Sequence, residues 1–355
     1  MRIIVDPKEW RVALSRAAAY DFYHTSDYHE LVSGDGAEAH LFVFEGPSVD
    51  IFLPLIISQR ELANRSFADA SSVYGYAGPI ASQEEVERAD LDAFVLELRR
   101  TLLEMNVVSV FSRLHPLLDN SHLVSGVGIC SNSGKTVSID LTESPELQWS
   151  QYRKNHQRDI RKLKRSGVQC ASTRDPSDLA VFSDLYKDTM LRLGADAGYF
   201  FSMAYFEQMM SATDFELHLF MCKHEGMAIC GGLFSVCNGV IQYHLGGTHS
   251  DFSKMAPTKL LFDTVRCWGS ERGLRTLHLG GGLGGADDSL FRFKKGFSNQ
   301  THDFQLWRWV LDPKQYAELE MLRREQLQSE GGLSIDESYF PSYRAPATDL
   351  AITKC

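Results

Sequence analysis

The spacing of apolar residues between positions 136 and 328 constrains the fold more than any other feature of the sequence. Runs rich in β-branched residues alternate there with amphipathic runs of helical period. They predict the order β-α-β-α-β-β-β-α-β-α-β, with a further helix at the end. Strands and helices in this order bury their apolar faces best in a mixed sheet covered by helices. We therefore predict an α/β fold (an α+β mixed sheet).

Capping and turn residues mark the limits of these elements. Ser144 and Pro145 are typical of a helix start, Gly167 of a helix end, and Asn238-Gly239 of a tight hairpin. The predicted helices are residues 145–166, 176–193, 257–272, 289–295 and 313–328. The predicted strands are residues 136–141, 168–172, 216–222, 227–236, 240–245, 274–279 and 303–310.

The first third of the chain has a similar order. We predict helical structure over residues 12–31 with a turn at 24–27, then a hairpin of residues 39–44 and 49–57. An aromatic loop (71–79), a helix (84–105) and a strand (107–111) follow. A length of 355 residues also favours two domains. We place them at 1–135 and 136–328, and predict an irregular tail at 329–355.

Composition excludes several classes of protein. A net charge of −10 argues against a chain that coats nucleic acid over its whole surface, but permits a local basic patch. Seven cysteines without a CxxC motif favour buried thiols in a reducing cytoplasm over a disulfide framework or a metal site. The sequence has neither a secretory signal nor an apolar stretch long enough to cross a membrane. We therefore expect a cytoplasmic protein without a transmembrane segment.

The predicted helix 145–166 has two distinct faces. Its apolar stripe consists of Trp149, Tyr152, His156, Ile160 and Leu163. Its basic stripe consists of Lys154, Arg158, Arg161, Lys162 and Arg165. Such a cluster of cations in an acidic protein is typical of a phosphate or nucleic-acid site. The alternative is a solvated face on which Asp159 is the local partner.

Segments of the second half resemble one known family. The basic helix contains RKNHQRDIRK at residues 153–162, and YHLGG follows at 243–247. PTKLL at 257–261, LHLGG at 277–281 and FRFKKGF at 291–297 come next, in the family's order. Together they resemble the acyl-transferring domain of the Fem-type branch of the N-acyltransferase superfamily. Residues 25–29 and 76–79 resemble acceptor-side segments of the same family.

The resemblance implies two tandem GNAT-like acyltransferase domains, with residues 1–135 on the acceptor side. Fem-type enzymes transfer an amino acid from aminoacyl-tRNA to the peptide stem of a cell-wall precursor, and need no cofactor or metal. The resemblance therefore implies an aminoacyl-tRNA donor and an amine-bearing acceptor. The acceptor that the resemblance implies is a cell-wall precursor, a glycan or a peptide, which can be nucleotide- or lipid-linked. This chain lacks the coiled-coil arm that some members insert.

The resemblance also implies site residues. Lys294, beside Phe293, matches the lysine that lies near the aminoacyl ester, where a sheltered cation stabilises negative charge on the carbonyl oxygen. A tRNA phosphate is an alternative partner for Lys294, and a surface role flanking buried Phe293 is another interpretation. The predicted substrate-binding residues are Lys154, Arg158, Arg161, Tyr76, Tyr243, His244, Gly280 and Gly281. His156, His244 and His278 are candidates for a general base, or are core residues.

Two other functions stay open at the level of sequence. An acyl-CoA donor needs glycines that let backbone amides approach a pyrophosphate, and residues 252–257 (FSKMAP) lack them. The second alternative is a non-catalytic module that binds RNA or another anion. The glycine-rich run at residues 280–285 follows a strand but does not match GxGxxG. We interpret it as a flexible loop at the donor site.

Overall fold

The computed structural model describes residues 1–34, 36–330 and 334–348. Its strands are β1 Arg2–Ile4, β2 Ala37–Glu45, β3 Asp50–Leu62, β4 Arg65–Ser71, β5 Ile80–Ala81, β6 Val107–Arg113, β7 Ile129–Asp140, β8 Gln169–Thr173, β9 Glu216–His224, β10 Met227–Cys237, β11 Val240–Thr248, β12 Thr276–Gly281, β13 Thr301–Val310, β14 Ser334–Ile335 and β15 Ala347–Thr348. Its α-helices are α1 Pro7–Leu14, α2 Ser26–Val32, α3 Arg88–Glu104, α4 Pro145–Ser150, α5 Lys154–Arg165, α6 Pro176–Leu193, α7 Met203–Ser211, α8 Thr258–Glu271, α9 Ser289–Lys294 and α10 Pro313–Ser329.

Contacts divide the chain into two compact units. Unit 1 comprises Met1–Asn132 and Gln305–Cys355, and unit 2 comprises Ser133–Phe304. Our domain limits differ from this division, since they place residues 305–328 in the second domain. Those residues belong to unit 1 because β13 pairs with β6 and Leu319 of α10 packs on Val108. Among the described residues, no helix is long and apolar enough to cross a membrane.

The two units repeat one arrangement of strands. In unit 2 the order is β8-β9-β10-β11-β12-β7, and only β11 and β12 are parallel neighbours. In unit 1 the order is β1-β2-β3-β4-β6-β13, and β4 and β6 are the parallel neighbours. A helix joins each parallel pair, α8 in unit 2 and α3 in unit 1. The predicted mixed α/β fold is therefore confirmed.

The core of unit 2 lies on one face of its sheet. Ile139, Ile241 and Leu277 come from three neighbouring strands and are buried there together with Ile160 of α5 and Val265 of α8. Because side chains alternate along a strand, the residues between them point to the opposite face. Burying an aliphatic side chain of this size stabilises a fold by about 1.5–3 kcal/mol. This core therefore holds α5, α8 and α9 against the strands that carry the candidate site.

The predicted helix 145–166 is wrong in one respect, because the structure divides it into α4 and α5. The backbone turns at Gln151–Arg153, where the Arg153 amide donates a hydrogen bond to the Gly296 carbonyl at 2.8 Å. The Gln157 side chain donates to the carbonyl oxygens of Trp149 and Tyr152. These tertiary and side-chain bonds replace the helical ones. The predicted apolar stripe still faces the core.

Two predictions in unit 1 also need correction. The helix predicted at residues 12–31 ends at Leu14, and a 3-10 turn at Phe22–His24 precedes α2, because the Asp21 carboxylate caps that turn. The predicted irregular tail is partly ordered and packed. Its Tyr343 is buried against Phe67 and donates a hydrogen bond to Asp69. Residues 331–333 and 349–355 of the predicted tail lie outside the described residues.

Candidate functional site

The parallel strands β11 and β12 separate after three residues. Their pairing ends at Gln242 and His278. Beyond that point β11 follows β10 to Thr248, whereas β12 follows β7 with a shift in register before Gly280. Backbone groups along such a gap lie outside the ladder and are available to other donors and acceptors. The gap between the diverging strands is therefore the place in unit 2 where a ligand can meet the backbone.

Lys294 lies at this gap. Its side chain is buried, with 7% of the residue surface exposed. The ammonium donates a hydrogen bond to the carbonyl oxygen of Gly281 at 2.7 Å, and Nζ lies 5.8 Å from the centre of the Tyr243 ring. Gly281 ends β12, and Tyr243 is the first residue of β11 beyond the parallel pairing. Lys294 thus bridges the two strands where they diverge.

The burial of Lys294 changes its acidity. Desolvation lowers the pKa of its ammonium to about 8, and the negative charge of Asp288 opposes this shift. The side chain therefore remains mostly protonated at neutral pH. A cation held in a sheltered, largely apolar environment interacts more strongly with a developing negative charge than a solvated one does.

The short helix α9 positions Lys294. Asp288 caps it by accepting hydrogen bonds from the amides of Phe291 and Leu283 at 2.8 and 2.9 Å. Phe291 and Lys294 are three residues apart and are both buried. Phe293 packs in the core of unit 2, and its carbonyl oxygen accepts a hydrogen bond from Nε2 of His156 at 3.0 Å. Asp288 is therefore the N-cap of α9.

Two glycines make room for the Tyr243 ring. Gly232 of β10 and Gly246 of β11 are paired residues, and a Cβ atom at position 246 would lie 2.0 Å from the Tyr243 hydroxyl oxygen. The ring centre lies 4.8 Å from that of Phe262. Burial raises the pKa of the Tyr243 hydroxyl, which therefore stays protonated at neutral pH. Tyr243 offers Lys294 an aromatic face rather than a negative charge.

The glycine-rich run has a defined conformation. Gly281 lies so close to β7 that a Cβ atom would be 2.8 Å from the Lys135 carbonyl oxygen. A Cβ atom at Gly134 would lie 1.8 Å from the carbonyl oxygen of Gly285, whose φ is +88°. Only glycine permits both the close approach and this backbone conformation. The run therefore packs on β7 while its Leu283 side chain remains exposed.

Two of the candidate histidines lie on the other face of the sheet. Nδ1 of His278 lies 2.6 Å from Oε1 of Gln242, and Nε2 of His244 lies 2.8 Å from the Tyr205 hydroxyl. The Tyr205 ring stacks on Phe201 at 4.2 Å. Desolvation lowers the pKa of His244 to about 3, so its imidazole is neutral. His156 lies instead on the Lys294 face, where burial lowers its pKa to about 4.

The basic stripe is exposed on α5. Lys154, Arg158, Arg161 and Arg165 follow one another at spacings of four, three and four residues, which places them on one side of the helix. Arg158 forms an ion pair with Asp159 at 2.9 Å, and the Arg161 guanidinium lies 5.4 Å from the Trp149 ring centre. Asp159 also binds Lys259 of α8. Asp159 is thus a local partner of the basic stripe, as the alternative interpretation expects, and the stripe still faces outward.

The start of α8 does not resemble a pyrophosphate cradle. A 3-10 turn over Ser250–Met255 precedes it. The Phe252 amide donates to the carbonyl of His249, the cap of this turn, and the Ala256 amide donates to the Ser253 carbonyl. The amide of Lys259 bonds to the Ala256 carbonyl. A cradle needs several amides that point at one anion. These amides are bonded within the chain and do not converge on one point, which agrees with the absence of glycines at residues 252–257.

Tyr76 lies in unit 1, within an aromatic and polar cluster. Its ring makes edge contacts with Tyr23 and His115. Nε2 of buried His115 lies 3.0 Å from the Asp21 carboxylate, and buried His24 is part of the same cluster. Tyr76 is a predicted site residue, whereas Asp21 and His115 are not. Nothing in their local sequence indicates that residues 94 positions apart meet.

The structure therefore places the predicted residues in four regions. Lys294, Phe293, Tyr243, Gly280 and Gly281 lie around the strand gap, and His244 lies on the opposite face of β11. Lys154, Arg158 and Arg161 lie on the exposed side of α5. Tyr76 lies in unit 1. Within the described residues, no cluster of three or more His, Cys, Asp or Glu side chains suits a metal ion.

Comparisons with known proteins agree with this architecture. Residues 150–295 match the family model of the acetyltransferase (GNAT) domain. No curated protein matches the sequence significantly.

Solved structures resemble nearly the whole chain. FemX has a TM-score of 0.68 at 13% identity, over 90% of this chain and 99% of FemX. L-PGS from Bacillus licheniformis has a TM-score of 0.56 at 13% identity, over 90% of this chain and 96% of that one. A tandem GNAT protein from the clavulanic acid biosynthesis pathway has a TM-score of 0.52 at 11% identity, over 88% of this chain and 99% of that one. Residues 150–295 are thus similar to the acetyltransferase (GNAT) domain family, and the chain shares its overall fold with FemX, L-PGS and the tandem GNAT protein.

Proposed function

We propose that the protein is an aminoacyltransferase that forms an amide between an amino acid from aminoacyl-tRNA and an amine acceptor. The observation that carries this proposal is the buried ammonium of Lys294 at the gap between β11 and β12. An exposed basic stripe on the same unit supports a donor with a phosphate backbone. The acceptor is a cell-wall precursor, a glycan or a peptide, and we assign its binding to residues 1–135 with Tyr76.

The proposed reaction needs no cofactor because the ester of an aminoacyl-tRNA is already activated. The acceptor nitrogen attacks the ester carbonyl carbon, and negative charge develops on the carbonyl oxygen. Lys294 stabilises this charge. The C–O bond to the ribose then breaks, the amine loses a proton and the ribose oxygen gains one. Holding both reactants in one geometry supplies the remaining acceleration.

The three histidines act in this proposal as positioning residues. His156 holds the Phe293 carbonyl next to Lys294, and His278 and His244 hold Gln242 and Tyr205. Gly280 and Gly281 belong to β12 at the gap, whereas His278 and His244 act from the other face of the sheet. Phe293 anchors α9 in the core, so that Lys294 can reach the gap.

Replacing Lys294 by alanine tests the assignment. We expect Lys294→Ala to reduce kcat with charged tRNA by roughly 10²–10³, the effect of removing one group that stabilises an oxyanion. The matched control is Lys295→Ala, because Lys295 is the exposed neighbour on the same turn. Circular dichroism monitors folding of both variants. Equal rates for the two variants would remove Lys294 from the mechanism.

An acyl-CoA-dependent N-acyltransferase is the second candidate function. The match to the acetyltransferase (GNAT) family and the fold shared with the tandem GNAT protein favour it. The bonded amides before α8 count against it. Pooled radiolabelled aminoacyl-tRNAs and acetyl-CoA, each offered with a mixture of amine acceptors, distinguish the donors. RNase should abolish transfer from tRNA, and transfer that survives RNase would contradict the tRNA-dependent reaction.

If the protein only binds RNA or another anion, we expect a third outcome in these assays. It would retain tRNA in a filter-binding assay but transfer no acyl group from either donor.

A further inference from the structure

Three cysteines form a row across neighbouring strands of unit 2. Cys170 of β8 is paired in register with Cys222 of β9, and Cys222 is paired with Cys230 of β10. The row continues to Thr248 of β11, which is paired with Cys230. Cys170, Cys222 and Cys230 all contact the same core as α5 and α8. The three thiols therefore lie side by side on one face of the sheet.

The separations within this row suit a disulfide bond. Directly paired residues of antiparallel strands have Cα atoms about 4.5 Å apart in non-hydrogen-bonded pairs and about 5.5 Å apart in hydrogen-bonded pairs. Both values fall within the range of about 4.4–6.8 Å that a disulfide spans. The Cys222 thiol also lies within hydrogen-bonding range of both neighbouring sulfur atoms. Neither bond would require the strands to change register.

The two ends of the row differ in their surroundings. Cys170 is partly exposed on β8, which lies at the edge of the sheet, whereas Cys222 and Cys230 are buried. Sγ of Cys230 lies 3.6 Å from the hydroxyl oxygens of Thr248 and Thr258. The hydrogen bond from Cys222 lowers the pKa of the Cys230 thiol, whereas the neighbouring thiols and burial raise the pKa of Cys222. A small oxidant can therefore reach the row at Cys170, and Cys222 has a sulfur neighbour on each side.

We propose that Cys170 and Cys222 are a peroxide-sensitive dithiol that closes to a disulfide, with Cys230 as an alternative partner of Cys222. A hydroperoxide first oxidises the Cys170 thiolate to a sulfenic acid and is itself reduced to an alcohol or water. The Cys222 sulfur then attacks the Cys170 sulfur, the S–S bond forms and water leaves. The Cys230 thiolate can attack Cys222 in turn, which forms the Cys222–Cys230 bond and releases the Cys170 thiol. For hydrogen peroxide, the two thiol hydrogens and the peroxide leave as two molecules of water.

Other roles for the row are less consistent with its geometry. Within the described part of the chain, no cluster of His, Cys, Asp or Glu side chains suits a metal ion. Sulfur atoms in a row along a sheet favour bonds between neighbours, whereas metal ligands converge on one point. Among the described residues, Lys294 makes no hydrogen bond with any of the three cysteines, although Cys230 lies close enough to Tyr243 to contribute to the raised pKa of its hydroxyl.

Peptide mapping under non-reducing conditions tests the proposal. The starting protein is full-length with Cys130→Ser and Cys355→Ser, which remove the exposed thiol and one outside the described residues. After treatment with hydrogen peroxide and blocking of free thiols, we expect a peptide that joins Cys170 to Cys222 and a loss of two blocked thiols per chain. A Cys222–Cys230 peptide would support the exchange step. The disulfide should also raise Tm, and a thiol reductant should reverse this.

Variants identify the partners. Cys222→Ser should abolish every disulfide of the row, and Cys170→Ser should slow oxidation of Cys222 at least tenfold. Cys267→Ser is the matched control, because Cys267 is also partly buried but has no place in the row. It should oxidise as the starting protein does. Recovery of Cys170 as a sulfinic or sulfonic acid, with Cys222 fully blocked as a free thiol, would overturn the proposal even if a variant failed to fold.

Discussion

At the scale of single residues, the burial of Lys294 is the basis of its proposed role. A lysine that is mostly removed from water needs polar partners, and here they are one carbonyl oxygen and one aromatic ring. In the proposed reaction, the ammonium exchanges the Gly281 carbonyl for the carbonyl oxygen of the aminoacyl ester. The neighbouring Lys295 is exposed, so two adjacent residues of the same type have different environments.

The pKa of Lys294 predicts how the transfer rate depends on pH. Its ammonium has a pKa of about 8, lowered by burial, so the cation is lost as the pH rises through that value. We expect kcat to fall above pH 8 with one proton released. Lys294→Arg, which keeps the charge, should move this fall beyond pH 10. A profile of kcat against pH for both proteins checks this, and identical profiles would exclude titration of Lys294.

At the scale of elements, the glycine pair of β10 and β11 determines the position of Tyr243. Gly246→Ala would place a methyl group 2.0 Å from the present position of the Tyr243 hydroxyl oxygen. Because the ring is enclosed by Phe234 and Phe262, we expect a loss of about 1–3 kcal/mol in the free energy of unfolding. Urea denaturation measures it. Gly198→Ala, at an exposed position with open space, should change it by less than about 0.5 kcal/mol.

The helix α5 is the second element with a testable role. We expect Arg158→Ala with Arg161→Ala to weaken tRNA binding about tenfold or more. The slope of log Kd against log salt concentration should fall by roughly 1.5, since each phosphate contact contributes about 0.7–0.9. Filter binding across a salt series measures both quantities. Lys187→Ala, an exposed cation on α6, is the control. An unchanged salt slope in the double variant would contradict a phosphate-binding role for α5.

At the scale of the whole molecule, unit 1 contains buried histidines that make its stability depend on pH. Burial lowers the pKa of His29 to about 4, below the ordinary value of 6.5, and lowers that of His24 as well. Below pH 6.5 the unfolded histidines take up protons while the buried ones stay neutral. Unfolding therefore binds protons, and the free energy of unfolding falls as the pH decreases from 6.5 to 4.

Burial lowers the pKa of His29 from 6.5 to about 4, and a pKa difference of one corresponds to about 1.4 kcal/mol. We therefore expect His29 to contribute about 3 kcal/mol to this acid sensitivity. Urea unfolding between pH 7 and pH 4 should be less dependent on pH in His29→Gln than in the unmodified protein. His122→Gln removes an exposed histidine of the same unit and should leave the dependence unchanged. Parallel curves for all three proteins would assign the acid sensitivity to other groups.

The sequence by itself determined the classes and order of most elements, because local spacing of apolar residues and caps acts over a few residues. The predicted helix at 176–193 coincides with α6, and the Asn238-Gly239 hairpin joins β10 and β11. The resemblance of the FRFKKGF segment to Fem-type enzymes predicted Lys294 as a site residue. The break between α4 and α5 could not be predicted, because it depends on a hydrogen bond between Arg153 and Gly296, far apart in the chain.

Only the tertiary structure decided which residues meet. Lys294 contacts Gly281 and Tyr243 because β11 and β12 diverge, and that divergence depends on pairing with β10 and β7. The same applies to the row of Cys170, Cys222 and Cys230, whose alignment follows from strand register. It also applies to residues 305–328, which belong to unit 1 although they follow unit 2 in sequence. Sheet pairing joins distant segments, and neither its partners nor its register is encoded in local spacing.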